Sequence, residues 1–400
     1  MKAKDKQALS IIIVGGGIGG MAAALALSKL GIRITLLEQS PEIGEIGAGI
    51  QLAPNAFAAL DALGVGKNAR NRAVFTDRLV MMDAVDGSEV GTFPVDERFR
   101  QRFGNPYAVI HRADIHTSIF EAVEQSPLIT FFTSTRVAEL IEEDGQVSVV
   151  DTQGHRFTGD AVIGCDGVKS VIRDKIVGDQ PRVSGHVVYR AVVPVEKMPE
   201  DLRWNAPAVW SGPNCHLVHY PLREGQQFNL VVTFHSREQE TWGVREGSKE
   251  EVLSYFEGIC ERPRRLLEAP TSWKRWSTAD RDPIETWTRG RVTLLGDAAH
   301  PMLQYLAQGA CMAIEDAVTL GEAVRHCDFD LDAAFSLYEK SRVTRTARVV
   351  LSAREMGRIY HAKGVERLVR NALWKDRTPA QFYDALEWLY GWNAATCLAL

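Results

Sequence analysis

The chain has 400 residues, 45% of them hydrophobic, which is enough to bury a large core in more than one lobe. Its net charge of -5 excludes the basic face of a nucleic-acid binder. No stretch is long and apolar enough to span a bilayer, and residues 1–7 are basic but lack the apolar run of a signal peptide.

Six cysteines stand far apart, at 165, 215, 260, 311, 327 and 397, with no metal-ligand or C-x-x-C spacing. They read as reduced, mostly buried thiols of a cytoplasmic enzyme without a metal. Cys215 and Cys311 fall near candidate site residues, yet neither has an adjacent basic partner to make it a nucleophile.

In chain order, residues 10–14 form a β-branched strand that runs into Gly15-Gly16-Gly17-Ile18-Gly19-Gly20. A small-residue helix follows over 21–30, then a strand over 33–38 that ends in Glu38. This is the order of a dinucleotide fingerprint. Gly15 permits the tight turn, Gly17 lets the backbone approach a pyrophosphate, Gly20 permits close helix–strand packing, and Glu38 suits ribose hydroxyls. Ile18 lies inside the same loop. At this point NAD and FAD fit equally.

Residues 44–51 are glycine-rich and 54–63 read as a helix. Alternation over 78–93 predicts strands, and the basic stretch 98–104 reads as a loop. Residues 107–110 lead to Arg112, just before a helix that continues through 118–123. Strands at 129–132, 135–142 and 146–151 predict a meander, with the acidic turn 142–145 as a solvated hairpin. Residues 161–165 read as a buried strand that returns to Asp166-Gly167.

The texture changes over 183–283. Strands at 186–193, 208–210, 216–220 and 228–234, spaced by Pro199, Pro207, Pro213 and Gly225, predict an antiparallel sheet, and a helix is expected over 249–259. Trp242, Trp273, Trp276 and Trp287 read as core before pocket.

Val292–Leu295 is a short buried strand that ends at Gly296-Asp297. After His300-Pro301 and Gly309, a helical pattern begins at Ala310. Unpaired amides and the helix dipole at that start favour a negatively charged ligand. A further helix is expected over 331–348. The aromatic tail, with Trp374, Trp388, Tyr390 and Trp392, suits either a homodimer contact or packing on its own lobe.

Three motifs now stand in sequence: Gly15 to Gly20; Cys165-Asp166-Gly167-Val168-Lys169-Ser170 with Arg173; and Gly296-Asp297. Together they resemble the single-component flavoprotein aromatic hydroxylases. The resemblance implies an α/β fold: a Rossmann-like FAD-binding domain (1–75, 108–182 and 284–325), an antiparallel β-sheet substrate lobe (76–107 and 183–283) and a C-terminal helical region (326–400). It places FAD on the first motif, with Arg112 near the pyrophosphate, Asp297 on the ribityl chain, Asp166 beside both nucleotides, and Gly309-Ala310 at the pyrimidine edge. No second NAD fingerprint is present, so NADH is expected to visit transiently. Reduced flavin and O2 then give the 4a-hydroperoxide that hydroxylates an electron-rich ring.

Segments 214–223 and 300–306 resemble the branch of that family that converts 3-hydroxybenzoate to gentisate (2,5-dihydroxybenzoate). Within it, His216 is the candidate base, with His300 ranked second. Strand parity puts Tyr220 on the His216 face and His219 on the other. Gln304 is expected to orient the phenol or a water, and Tyr220 and Tyr107 to bond the carboxylate of a small aromatic acid. Three alternatives stay open: a decarboxylating salicylate or 6-hydroxynicotinate hydroxylase, a flavin-binding sensor without turnover, and an NAD-dependent dehydrogenase.

Overall fold

The computed structural model describes residues 9–42, 48–143 and 145–398. The stretch 1–7, Gly44 to Gly47 and Asp144, all of which entered the sequence reading, lie outside the described residues.

A six-stranded sheet carries the first lobe. Its order is Thr288–Arg289, Val292–Leu294, Ala161–Gly164, Ser10–Val14, Arg33–Leu37 and Ile129–Phe132. All neighbours pair in parallel except the first two strands. The apolar run Ile11-Ile12-Ile13 is central because both its faces are covered, leaving each residue at most 1% exposed. Burying such a side chain is worth about 1.5–3 kcal/mol. Small residues let the helix Ile18–Ser28 lie close to the helix Gly309–His326, where Gly321 faces Ala26.

The second lobe is an eight-stranded sheet in the order Val244–Gly247, Trp273–Asp280, Arg182–Pro194, Gln227–His235, Cys215–Leu222, Ala208–Gly212, Arg78–Asp83 and Glu89–Pro94. It is antiparallel but for one pair: Ala208–Gly212 runs parallel to Arg78–Asp83, since a long excursion separates the two strands in the chain. A second core of Tyr189, Trp210, Leu217, Phe234 and Trp273 lies against it. Mixed α/β architecture with C-terminal helices is therefore the fold.

Three local expectations are corrected. Residues 98–104 are not a loop but most of the helix Glu97–Phe103, which Asp96 caps at its start and left-handed Gly104 ends. Phe99 and Phe103, one turn apart, are the buried stripe that the basic residues masked. Ile129–Phe132 belongs to no meander, for it pairs in parallel with Arg33–Leu37. The meander is Val137–Glu143, Gln146–Asp151 and Arg156–Gly159. The helix expected over 331–348 runs from Leu331 to Tyr360, because Val349, Val350, Ala353 and Gly357 extend its buried face. The aromatic tail packs on its own lobe, one of the two readings of the sequence: Tyr390 is buried, and Trp374, Trp388 and Trp392 lie against the main core.

Candidate active site

The two lobes enclose a cavity of about 920 Å³. Its first wall is the glycine loop. Gly15 has a φ of 108°. A methyl group at Gly20 would fall 1.9 Å from the Gly15 carbonyl oxygen, so only glycine permits the strand–helix approach there. A methyl at Gly17 would meet nothing within 4 Å, since that position opens into the cavity. Gly15, Gly17 and Ile18 line the cavity and Gly20 stands behind them.

Glu38 closes the end of this wall, its Oε2 accepting from the Gly16 N–H at 2.7 Å. The Asp166 carboxylate also lines the cavity while accepting from the Val171 N–H at 2.7 Å and from the Ser170 hydroxyl. Burial raises its pKa and those hydrogen bonds offset part of the rise. Arg173 is fully buried and braces the next loop, with Nη1 donating to the Ala298 carbonyl at 2.9 Å and the guanidinium paired to Asp179.

The opposite wall is the loop from Gly296 to Ala310. Gly296, Asp297, Gly309 and Ala310 all line the cavity. Asp297 is deep in the molecule yet open to the cavity. Burial raises its pKa, and the charges of His300 and Arg112 pull against that rise. The helix Gly309–His326 begins without a side-chain cap, and the Nε2 of Gln308 before it is buried with no hydrogen-bond partner. An uncapped helix start, an orphaned amide, the Arg112 cation and a glycine cradle at Gly17 together fit a dinucleotide with an electron-accepting ring.

Beneath this wall lies a charged cluster. Asp316 accepts from the Gly296 N–H at 3.0 Å, Arg342 Nε at 2.6 Å and stands 2.6 Å from His300 Nε2. Burial alone pushes the Asp316 carboxyl up, but His300, Arg342 and these hydrogen bonds outweigh it and bring its pKa to about 2. His300 braces this cluster through Asp316. It lines no part of the cavity, because Asp316 turns it the other way.

The second lobe closes the cavity with His216, Tyr220, Gln304 and Tyr107. His216 and Tyr220 share a face of the strand Cys215–Leu222, while His219 on the other face bonds the Leu202 carbonyl at 3.1 Å. His216 is 2% exposed, and burial together with the charge of His186 lowers its pKa to about 3, so the imidazole is neutral. Its Nδ1 lies 2.8 Å from Nε2 of His361. Burial raises the Tyr220 pKa, which keeps its hydroxyl a donor, although Arg190 offsets part of the rise. Gln304 Nε2 donates to Thr233 Oγ1 at 3.3 Å, and the Tyr107 hydroxyl donates to Gln51 Oε1 at 2.5 Å. Trp242, Trp273, Trp276 and Trp287 line none of the cavity, nor do Cys215 and Cys311, whose thiols burial pushes up to about 12.

Sequence reading missed three groups here. Arg190, in the middle of the strand Arg182–Pro194, lines the cavity near Tyr220 and Arg112 and pairs with no carboxylate among the described residues. Burial lowers its pKa. A lone cation between Tyr189 and Ala191-Val192-Val193 was the available signal. Tyr305 and Tyr360 complete the wall around His216, with ring centroids 5.4 Å and 5.3 Å from it. The wall around His216 thus offers the Arg190 cation with Arg112 nearby, neutral hydroxyls and a neutral imidazole, a set suited to an anionic aromatic ligand.

The chain is similar to known proteins over nearly its whole length. The family model described as FAD binding domain matches residues 8–327. The chain is 64% identical over 391 residues to a 3-hydroxybenzoate 6-hydroxylase of Polaromonas naphthalenivorans (strain CJ2), covering 98% of each chain. It is 62% identical over 392 residues to a protein of the same name from Klebsiella oxytoca, covering 98% of this chain and 99% of that one. Among solved structures, a salicylate hydroxylase substrate complex superposes with a TM-score of 0.83 at 27% identity, covering 98% of both chains. Among the described residues no helix is long and apolar enough to cross a membrane, and no group of side chains is arranged to hold a metal ion.

Proposed function

The chain belongs to the FAD-binding-domain family of single-component flavoprotein aromatic hydroxylases, and from that premise we propose that it converts 3-hydroxybenzoate to gentisate with NADH as the transient reductant. We take the enzyme to be cytoplasmic. FAD, when bound, supplies electron transfer from the nicotinamide and activation of O2. Everything else falls to the chain.

The observation that carries the reading is the presence of both His216 and Arg190 in the lining of one cavity, with the residues that suit FAD. Arg190 takes the substrate carboxylate, with Tyr220 donating to its oxygens and Tyr107 turning its hydroxyl proton from Gln51 to them when the ligand binds. His216 faces the phenol. A phenol with a pKa near 10 is ionised to about one part in a thousand at pH 7, a cost of roughly 4 kcal/mol. A neutral imidazole at the hydroxyl offers the proton a place to go, so the ring becomes electron-rich at the carbon para to oxygen. Gln304, tethered to Thr233, orients the phenol oxygen. Gly17, Arg112, Asp297 and the Gly309 helix start would hold the nucleotide, with Asp166 beside it. Packing of Tyr305 and Tyr360 around His216 excludes water.

The test is product analysis with purified yellow protein, NADH and 3-hydroxybenzoate. Gentisate formed in step with NADH consumed is expected. Oxygen uptake that yields only peroxide would mean the ring is recognised but not the substrate. Catechol and CO2 from salicylate would move the assignment to the decarboxylating hydroxylases.

A further inference from the structure

Four of the ten histidines gather at one side of the cavity, from four separate elements. His216 lies in the cavity wall. His361 follows the last residue of the helix Leu331–Tyr360 and is partly exposed. Their rings are 5.0 Å apart, joined by the 2.8 Å contact between Nδ1 of His216 and Nε2 of His361. His186 stands 5.3 Å from His361 and 5.2 Å from His235, which is exposed on the surface. Tyr305 and Tyr360 flank the group, and Arg182 on the same strand and Asp280 on the neighbouring one act on His186. No carboxylate among the described residues hydrogen-bonds to any of these four rings.

In a contact of 2.8 Å between two imidazoles, one nitrogen donates and the other accepts. One proton therefore lies between the rings. When it sits on His216 Nδ1, Nε2 of His216 is a lone pair with no partner among the described residues. A proton taken up at Nε2 then has an exit, since the Nδ1 proton can be handed on.

We propose that His361 relays to solvent the proton that His216 takes from the ligand phenol. The inference rests on the substrate reading above. The phenol O–H bond breaks and its electron pair stays on oxygen. An N–H bond forms at Nε2 of His216, the N–H at Nδ1 breaks, and an N–H forms at Nε2 of His361. His361 then loses its Nδ1 proton to water. Both rings end neutral with their tautomers reversed, one proton has left, and the phenolate charge remains in the cavity. Protonation of the product by the reverse sequence restores the starting tautomers.

The surroundings favour passage over storage. Burial and the neighbouring rings lower the pKa of His186 to about 4 and carry that of His361 well below the ordinary value. A cation therefore rests poorly on either. Without the exit, an imidazolium held beside its phenolate would return the proton to it.

The experiment mixes holoenzyme with 3-hydroxybenzoate in weakly buffered solution that contains a pH indicator. Affinity is read separately from quenching of flavin fluorescence. The wild-type enzyme is expected to release a proton as ligand binds. In His361→Ala and His361→Gln, affinity stays within threefold while release slows at least tenfold, and added imidazole restores the rate in His361→Ala. The His361 carbonyl that accepts from the Asn214 N–H is untouched by either change. The relay is overturned by wild-type release rates in both variants, by binding without proton release in the wild type, or by slowing that imidazole does not rescue while affinity falls in step. Failure of 3-hydroxybenzoate to quench the wild-type flavin sinks the substrate reading itself, and the relay with it.

Discussion

The N–H of Gly49 donates to Oδ1 of Asn229 at 2.8 Å, and this buried bond joins the strand Gly49–Leu52 to the large sheet of the other lobe. A methyl group at Gly49 would lie 2.5 Å from Cε2 of Tyr220. Gly49→Ala is thus expected to push the Tyr220 ring into the ligand space while leaving the nucleotide wall alone. The overpacking costs about 1–3 kcal/mol of stability. Titration with 3-hydroxybenzoate should show at least tenfold weaker binding at unchanged FAD content. Unchanged affinity would mean that Tyr220 is not part of the ligand wall.

Gly17 and Gly20 make opposite predictions. Gly17→Ala meets no protein atom, so the fold should melt at its usual temperature while FAD is lost during purification. Gly20→Ala collides with the Gly15 carbonyl and should destabilise the chain itself. Absorbance at the flavin band and a thermal melt of each variant separate the two effects. A Gly17→Ala protein that keeps its yellow colour would refute the cradle.

Removal of the Arg190 charge should act on the carboxylate of the substrate. Loss of a charge-assisted hydrogen bond costs about 2–3 kcal/mol, or roughly 30–150-fold in affinity. Arg190→Gln is expected to raise the KM for 3-hydroxybenzoate by that factor, and to leave binding of a phenol without a carboxylate nearly unchanged. Equal weakening of both ligands would show that Arg190 shapes the cavity without reading the carboxylate.

Acid should unfold the protein early. His216 and His219 are buried, with pKa values lowered by burial to about 3 and about 4. An unfolded histidine titrates near 6.5, so below that pH the unfolded chain binds more protons and stability falls as pH drops. Each such group contributes about 1.4 kcal/mol per pH unit. Two of them remove roughly 5 kcal/mol between pH 6.5 and 4.5, comparable to the whole stability of many domains. Urea unfolding at pH 7.5, 6 and 5 measures the slope, and His219→Leu should reduce it. A midpoint independent of pH over this range would refute the neutral-histidine reading.

The nucleotide wall was legible because it is local. Gly15 to Gly20 and Gly296-Asp297 are consecutive residues whose own backbone makes the site, and residues 10–14 announce a central strand by composition alone. His216 and Tyr220 were legible together because one strand carries both. His361 was not: it is 145 residues from His216 in sequence, at the end of a helix that reading by basic residues stopped at Arg348. The direction of His300 was illegible for the same reason. Whether it turns to the cavity or beneath it depends on Asp316, which Arg342 on another helix holds in place. Arg190 was illegible for a different reason: its strand is evident from the sequence, but whether a cation there meets a carboxylate or only the Trp276 ring is decided by strands far away in the chain.

The helix Leu331–Tyr360 has 30 residues and so spans about 45 Å. Arg342 grips Asp316 under the Gly296 loop, Gly357 lies against the Tyr305 ring, and Tyr360 reaches the cavity. A single residue inserted or deleted between Arg342 and Gly357 would rotate one end against the other by about 100°. Tyr360 would leave the cavity or Arg342 would leave its carboxylates. Over evolutionary time the stretch between Arg342 and Gly357 is freer to change its letters than its length. Differences in size among relatives must then gather elsewhere, and the exposed turns of the meander over 137–159 are the natural place to look for them.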